Sequence, residues 1–137
     1  MIVIDAENMI LGRLASHVAK LLLNKTEVII VNAEKAIISG SKKSIIDEYY
    51  GKRRVGTARK GPFYPRMPDK ILKRTIRGMI PYKKASGKEA LKRLRVYIGV
   101  PKELKDKELS TIPKANATGK VKYMELGEVS RHLGAKF

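Results

Sequence analysis

Apolar positions in the first third of the chain switch between short runs and helical spacing. Two apolar runs, Ile2–Ile4 and the β-branched Val28–Val31, predict buried strands. The apolar residues between these runs recur at helical spacing, at Leu11, Leu14, Ala15, Val18 and Leu22. A strand, a helix and a strand within about thirty residues predict a βαβ unit, whose two strands pair in parallel.

The next stretch predicts a third short strand and a second helix. The run Ala36–Ile38 leads into Ser39–Ser41, which has the composition of a turn and a helix start. The helix is expected to carry an apolar stripe formed by Ile45, Ile46, Tyr49 and Tyr50. Gly51 is then expected at its C-terminus.

Helix-breaking residues dominate Val55–Pro68, and this segment is therefore expected to be irregular and extended. They are Gly56, Gly61, Pro62, Pro65 and Pro68. Asp69 is expected to cap a helix that runs to about Arg77. One face of this helix is apolar, with Ile71, Leu72, Thr75, Ile76 and Met79. The other face is basic, with Lys70, Lys73, Arg74 and Arg77.

The remaining elements are shorter. Ser86–Glu89 matches a capping box and predicts a helix whose inward residues are Ala90, Leu91 and Leu94. A strand is predicted at Arg95–Ile98, a polar loop at 102–118, and a short strand at Val121–Leu126. Glu128–Leu133 predicts a last helical turn or two, ended by Gly134. The order of elements predicts a single α/β domain spanning residues 1–137, with a small, mostly parallel sheet built on the N-terminal βαβ unit.

Positive charge is concentrated in one part of this domain. The chain has 30 Lys and Arg against 13 Asp and Glu, a net charge of +17. Lys52–Arg95 alone holds 16 Lys and Arg and two acids, which gives +14. Since self-repulsion opposes compaction, the clustering indicates a polyanionic partner, and phosphate backbones are the commonest one. The alternative is a solvated basic face, but charges of mixed sign would serve solubility equally well.

Composition excludes several other classes. Without cysteine, the chain has no disulfide, zinc ribbon or thiol nucleophile. The N-terminus lacks the pattern of a secretory signal, and no stretch approaches the ~18 apolar residues that span a bilayer. Membrane-surface binding would favour Trp or Phe on an apolar helix face, whereas the chain has no Trp and two Phe. We therefore expect a soluble, intracellular protein, with neither a membrane nor a small-molecule substrate as its partner.

Three carboxylates are the only catalytic candidates worth weighing. Asp5 ends the first predicted strand, Glu7 follows it, and Glu34 follows the second strand. Ligands of α/β sheets lie beyond these strand ends, so the three carboxylates could hold Mg²⁺ for phosphodiester hydrolysis. The alternative is that they cap helices or pair with nearby cations. His17 and His132 lie far apart in sequence and form no catalytic pattern.

The basic segment predicts the nucleic-acid interface. Its candidate RNA-binding residues are Arg53, Arg54, Arg59, Lys60, Phe63, Tyr64, Arg66, Lys70, Lys73, Arg74, Arg77, Lys83, Lys84 and Lys88. Lys and Arg would contact phosphates, which position a protein without reading sequence. Phe63, Tyr64 and Tyr82 would either stack on unpaired bases or pack against the helices. An irregular loop without a recognition helix favours folded RNA over duplex DNA.

Long motifs in this sequence resemble the universal L13 family of large-subunit ribosomal proteins. They are Asn8–Ser16, Ile29–Gly40, Gly61–Pro68 and Arg77–Pro81, within a resemblance that runs from Ile2 to about Pro101. The proline-rich Gly61–Pro68 is similar to the archaeal and eukaryotic members. The long C-terminal helical extension of the eukaryotic members is missing, which favours the archaeal type.

The resemblance carries its own expectations. It implies a three-layer α/β/α domain that binds large-subunit ribosomal RNA early in assembly and stays in the mature particle. It also implies cytoplasmic ribosomal protein neighbours, no cofactor, no enzymatic activity and no homo-oligomer in the working state. The family's RNA-contacting region corresponds to Arg53–Lys88, inside the segment that charge alone selects.

Overall fold

The computed structural model describes residues 2–54, 64–104, 107–111 and 122–137, and leaves the side chains of residues 53 and 54 undescribed. The strands and α-helices are β1 (Ile2–Asp5), α1 (Leu11–Leu23), β2 (Val28–Val31), β3 (Ile37–Ser39), α2 (Lys42–Arg54), α3 (Pro68–Arg77), α4 (Ala85–Lys92), β4 (Leu94–Val96), β5 (Tyr123–Glu125) and α5 (Leu126–His132). Two 3₁₀ helices span Ala33–Lys35 and Lys102–Leu104.

The central sheet is parallel, with β2 between β1 and β4. Because α1 connects β1 to β2, the predicted βαβ unit is confirmed. The predicted strand at Arg95–Ile98 is present but starts one residue earlier and ends at Val96. The backbone of Ser110 extends the sheet beyond β1: its N–H donates to the carbonyl oxygen of Val3 at 2.8 Å. Part of the polar segment after Pro101 thus belongs to the sheet edge.

The two faces of the sheet are covered differently. Alternate strand residues point to opposite faces, and the helix-covered face buries Ile4, Val28, Ile30 and Leu94. The second face buries Val3, Ile29 and Val31 against Leu104 of the 3₁₀ helix. Within the described residues, that 3₁₀ helix and the Tyr97–Val100 loop form the third layer, which is therefore thin. The α/β class and the small, mostly parallel sheet are confirmed.

Three local predictions about helix ends are wrong. α2 continues through Gly51 to Arg54, so this glycine lies inside the helix. α3 begins at Pro68 with Met67 as its N-cap, and Asp69 lies in its first turn. α4 begins at Ala85 with Lys84 as its N-cap, and no side chain caps it, so the capping box is not formed. Met79, assigned to the apolar stripe, is 44% exposed because it lies in the turn after α3.

The C-terminal elements close the domain next to β3. β5 pairs with β3 in antiparallel fashion, and the N–H of Leu126 donates to the Ala36 carbonyl oxygen at 2.8 Å. α5 approaches the first 3₁₀ helix closely, since a Cβ on Gly127 would stand 3.0 Å from the carbonyl oxygen of Glu34. The predicted C-terminal strand and helix are thus confirmed, with Gly134 at φ +98° after the helix. No helix in the described ranges is long and apolar enough to cross a membrane.

Candidate nucleic-acid interface

α3 is the centre of the basic surface because its two faces have opposite character. Ile71, Leu72 and Ile76 are fully buried and pack the helix against α1 and β4. On its outer side, Lys70 and Lys73 are exposed, whereas Arg74 and Arg77 are half-buried. The apolar contacts therefore fix the helix to the domain core and leave its cations on the surface, as the sequence predicts.

The four cations of α3 share one groove. Lys70, Lys73, Arg74 and Arg77 line an open depression of about 290 Å³ together with Pro65 and Leu91. We call this depression the α3 groove. Among the described residues, no acid lines this groove, so every described charged side chain of its wall attracts an entering phosphate.

Aromatic rings hold both arginines of the α3 groove. The guanidinium of Arg74 lies 5.6 Å from the ring centre of Tyr64, and that of Arg77 lies 4.7 Å from the ring centre of Tyr82. Contacts of this kind contribute about 0.5–1 kcal/mol each at exposed sites. A guanidinium held over a ring by its charge still has N–H donors available for phosphate oxygens. The rings therefore order the two arginines without consuming their binding capacity.

Tyr64 is itself packed within the protein. Its ring makes an edge-to-face contact with Tyr49, with ring centres 6.0 Å apart, and Lys52 Nζ lies 5.4 Å from its centre. Burial raises the pKa of Tyr64, while the neighbouring Arg74 cation opposes this rise. The sequence left open whether Tyr64 stacks on bases or packs within the protein. The described structure shows the packing contacts.

The other candidate residues surround α3 on both sides. Arg66 is exposed and lies next to Gly134 after α5: a Cβ added to this glycine would stand 3.7 Å from Arg66 Nη1. Three exposed lysines, Lys83, Lys84 and Lys88, border the start of α4. Arg53 and Arg54 lie in the last turn of α2, but their side chains are not described. Arg59, Lys60 and Phe63 lie outside the described residues.

The end of the basic segment lies elsewhere in the fold. Arg93 Nη1 donates to the Leu22 carbonyl oxygen at 3.0 Å, which satisfies an acceptor at the C-terminus of α1. Arg95 pairs in register with Ile29 and so points to the second face of the sheet, away from α3. The described cations of Lys52–Arg95 therefore lie on two surfaces. Alternation of side chains along the strand that begins at Leu94 would have indicated that Arg95 points away from the buried Leu94.

Two of the three carboxylates considered for catalysis, Asp5 and Glu34, have structural partners. Asp5 Oδ1 accepts hydrogen bonds from the Glu7 N–H at 2.9 Å and from Asn32 Nδ2 at 3.0 Å. Glu34 Oε2 accepts a hydrogen bond from the Gly99 N–H at 2.9 Å. Asn8 and Asn32 have φ of +64° and +56°, so these bonds stabilise tight turns at the ends of β1 and β2. Within the described ranges, no three His, Cys, Asp or Glu side chains form a group able to hold a metal ion.

Comparison with known proteins places this chain in a family. A family model described as ribosomal protein L13 matches residues 1–103. Proteins named large ribosomal subunit protein uL13 are 55% identical in Methanococcoides burtonii, 56% in Methanosarcina barkeri and 54% in Methanocaldococcus jannaschii. Each of these three alignments covers all of both chains. The predicted resemblance is thereby confirmed, including its archaeal type, and this chain belongs to the ribosomal protein L13 family.

Proposed function

We propose that this protein is a structural constituent of the large ribosomal subunit and binds large-subunit ribosomal RNA through the α3 groove. The observation that carries the proposal is the set of four cations, with no acid among them, on a helix fixed to the core. The like charges of these cations repel one another in the free protein, and a bound polyanion would relieve this repulsion. The relatives are named large ribosomal subunit protein uL13, and this supports ribosomal RNA of the large subunit as the polyanion.

Binding would occur mainly through phosphate contacts. Lys70 and Lys73 supply flexible point charges, and Arg74 and Arg77 supply guanidinium groups, held over aromatic rings, that can bind two phosphate oxygens at once. Arg66, Lys83, Lys84 and Lys88 extend the positive surface on either side, and Arg53, Arg54, Arg59, Lys60 and Phe63 belong to the same proposed RNA-binding segment. This mechanism needs neither a cofactor nor a reaction, and it fits a single-domain protein working as one copy among cytoplasmic ribosomal neighbours.

The site is tested by removing charges from the α3 groove. The variant Lys73→Ala, Arg74→Ala, Arg77→Ala should bind protein-free large-subunit RNA more weakly. Each lost phosphate contact should reduce the slope of log affinity against log salt by about 0.7–0.9, so three should reduce it by roughly 2–3. The matched control carries Lys25→Ala, Lys35→Ala and Lys43→Ala, three exposed lysines outside the basic segment. Equal slopes for both variants would refute the assignment of the interface to α3.

Membership of the particle needs a separate measurement. We expect the native protein to sediment with the large subunit in a sucrose gradient and to remain there in stoichiometric amount at high salt. Migration as a small free protein would contradict the structural role. The two experiments are independent, because sedimentation reports the particle and the salt slope reports the contact surface.

A further inference from the structure

The second face of the central sheet carries another basic groove. Two adjoining depressions, of about 350 and 490 Å³, both contain Ile29 and Arg95. We call them together the sheet-face groove. The cations along it are Lys92, Arg93, Arg95, Lys102 and Lys107, and the acids are Glu27 and Glu103. Counting only lining residues whose structure is described, five cations against two acids give a net charge of +3.

The floor of this groove differs from its rim. Ile29 and Leu104 are buried beneath it, at 8% and 7% exposure, and the half-buried Tyr97 packs beside them. The charged residues at the rim include the exposed Arg95, Lys102 and Lys107. The floor includes an aromatic residue and is bordered by long cationic side chains. Such a groove suits a single nucleic-acid strand, whose bases are flat and whose backbone is anionic.

The position of this groove separates it from the α3 groove. α3 packs on the face that buries Ile4 and Ile30, whereas Arg95 follows Ile29 onto the opposite face. The domain core therefore lies between the two basic surfaces. One short RNA strand lying in the α3 groove does not reach the sheet-face groove without passing around the edge of the domain.

We propose that the sheet-face groove binds a second segment of large-subunit ribosomal RNA, so that the protein joins two RNA segments across its core. This inference rests on the proposed function and extends it to a surface that the charged segment alone does not define. Charge complementarity selects RNA as the occupant, because the exposed cations outnumber the acids and lie in the same groove as the half-buried aromatic ring of Tyr97. Joining two segments would stabilise a folded RNA arrangement that neither contact stabilises alone.

The proposal is tested with Arg95→Ala, Lys102→Ala, Lys107→Ala on protein-free large-subunit RNA. We expect an affinity loss of at least about tenfold at moderate salt and a slope reduced by roughly 2–3. Glu27→Gln with Glu103→Gln removes negative charge from the same groove and should strengthen RNA binding. This second variant tests the proposal even if the alanine variant folds poorly. A photoreactive p-benzoylphenylalanine at Lys107 should crosslink to an RNA segment different from the one reached from Lys73.

The outcomes distinguish this inference from the proposed function. If the α3 variant weakens binding and the sheet-face variants bind like wild type, the second site is refuted and the proposed function stands. If neither set changes the affinity or the salt slope, both fail. If the sheet-face alanine variant binds protein-free RNA normally but is lost from assembled subunits, the groove has a protein partner and the RNA proposal is overturned.

Discussion

Gly87 lies where the start of α4 passes closest to the turn that follows α3. A Cβ at this position would overlap the carbonyl group of Pro81 and stand 2.8 Å from the backbone nitrogen of Tyr82. Both obstacles are backbone atoms, so no side-chain rotation relieves the contact. Gly87→Ala should therefore displace α4 from the turn that carries Tyr82, the stacking partner of Arg77.

The magnitude follows from two opposing terms. Alanine is favoured over glycine inside a helix by about 1 kcal/mol. Restoring ordinary contact distances requires a shift of more than about 1 Å, and such overpacking against backbone costs about 3 kcal/mol. The net loss is about 2 kcal/mol. For 137 residues the unfolding entropy is about 0.29 kcal/mol/K, so the melting temperature should fall by about 7 °C.

The assay compares Gly87→Ala with Gly51→Ala in α2. Gly51 is exposed within its helix, and a Cβ there meets no described atom within 4 Å. Thermal unfolding followed by circular dichroism should show Gly51→Ala about 3 °C more stable than wild type, from the helix propensity alone. If Gly87→Ala also melts above wild type, the close approach of α4 to the turn is refuted.

Further predictions concern buried or partnered groups. Burial, assisted by Tyr64 and Glu48, raises the pKa of the Tyr49 hydroxyl in the folded protein. The contribution of neutral Tyr49 to the unfolding free energy is therefore complete below the pKa of about 10 that tyrosine has in the unfolded chain, and it is lost as the pH rises above that value. Tyr49→Phe should therefore flatten the fall in unfolding free energy measured by urea titration above pH 10, by up to about 1.4 kcal/mol per pH unit. Glu34→Ala removes the acceptor of the Gly99 N–H and should cost about 1–2 kcal/mol in thermal unfolding, with unchanged RNA affinity in filter binding. Arg93→Gln loses the bond to Leu22 and should cost about 1 kcal/mol in the same unfolding assay, which an unchanged melting temperature would contradict.

The parts of the fold set by repeated apolar spacing could be predicted from sequence. β1, α1 and β2 each bury several apolar residues that repeat at the spacing of a strand or a helix. The type of each element is therefore still predicted correctly when a single position is misjudged. The same holds for the two faces of α3. These elements position α3, and that is why the division of this helix into a buried apolar face and a basic outer face could be predicted from sequence.

Predictions that relied on one residue failed where tertiary contacts opposed a local preference. Gly51 suits a helix end, yet α2 continues past it to Arg54. Lys52 pairs with Glu48 one helical turn earlier at 3.5 Å and lies 4.7 Å from the ring centre of Tyr49, contacts that favour the helix beyond Gly51. Ser86 suits a helix start, but Gly87 must lie against Pro81, and this contact places the first turn at Ala85. The separation of Arg95 from α3 was missed because charge was counted along the chain, whereas strand alternation assigns it to another face.

The stacked arginines explain why the α3 groove is more than an accumulation of charge. Immobilising a flexible side chain on binding costs about 0.5–1.5 kcal/mol, and the rings of Tyr64 and Tyr82 already restrict Arg74 and Arg77 before RNA arrives. Tyr82→Leu keeps every charge but removes one ring, so RNA affinity should fall by about twofold to twelvefold, which corresponds to about 0.5–1.5 kcal/mol. The salt slope should stay unchanged, because the number of phosphate contacts is the same. A changed slope in filter binding would mean that Tyr82 holds Arg77 in contact with phosphate, and that ordering and charge are inseparable at this site.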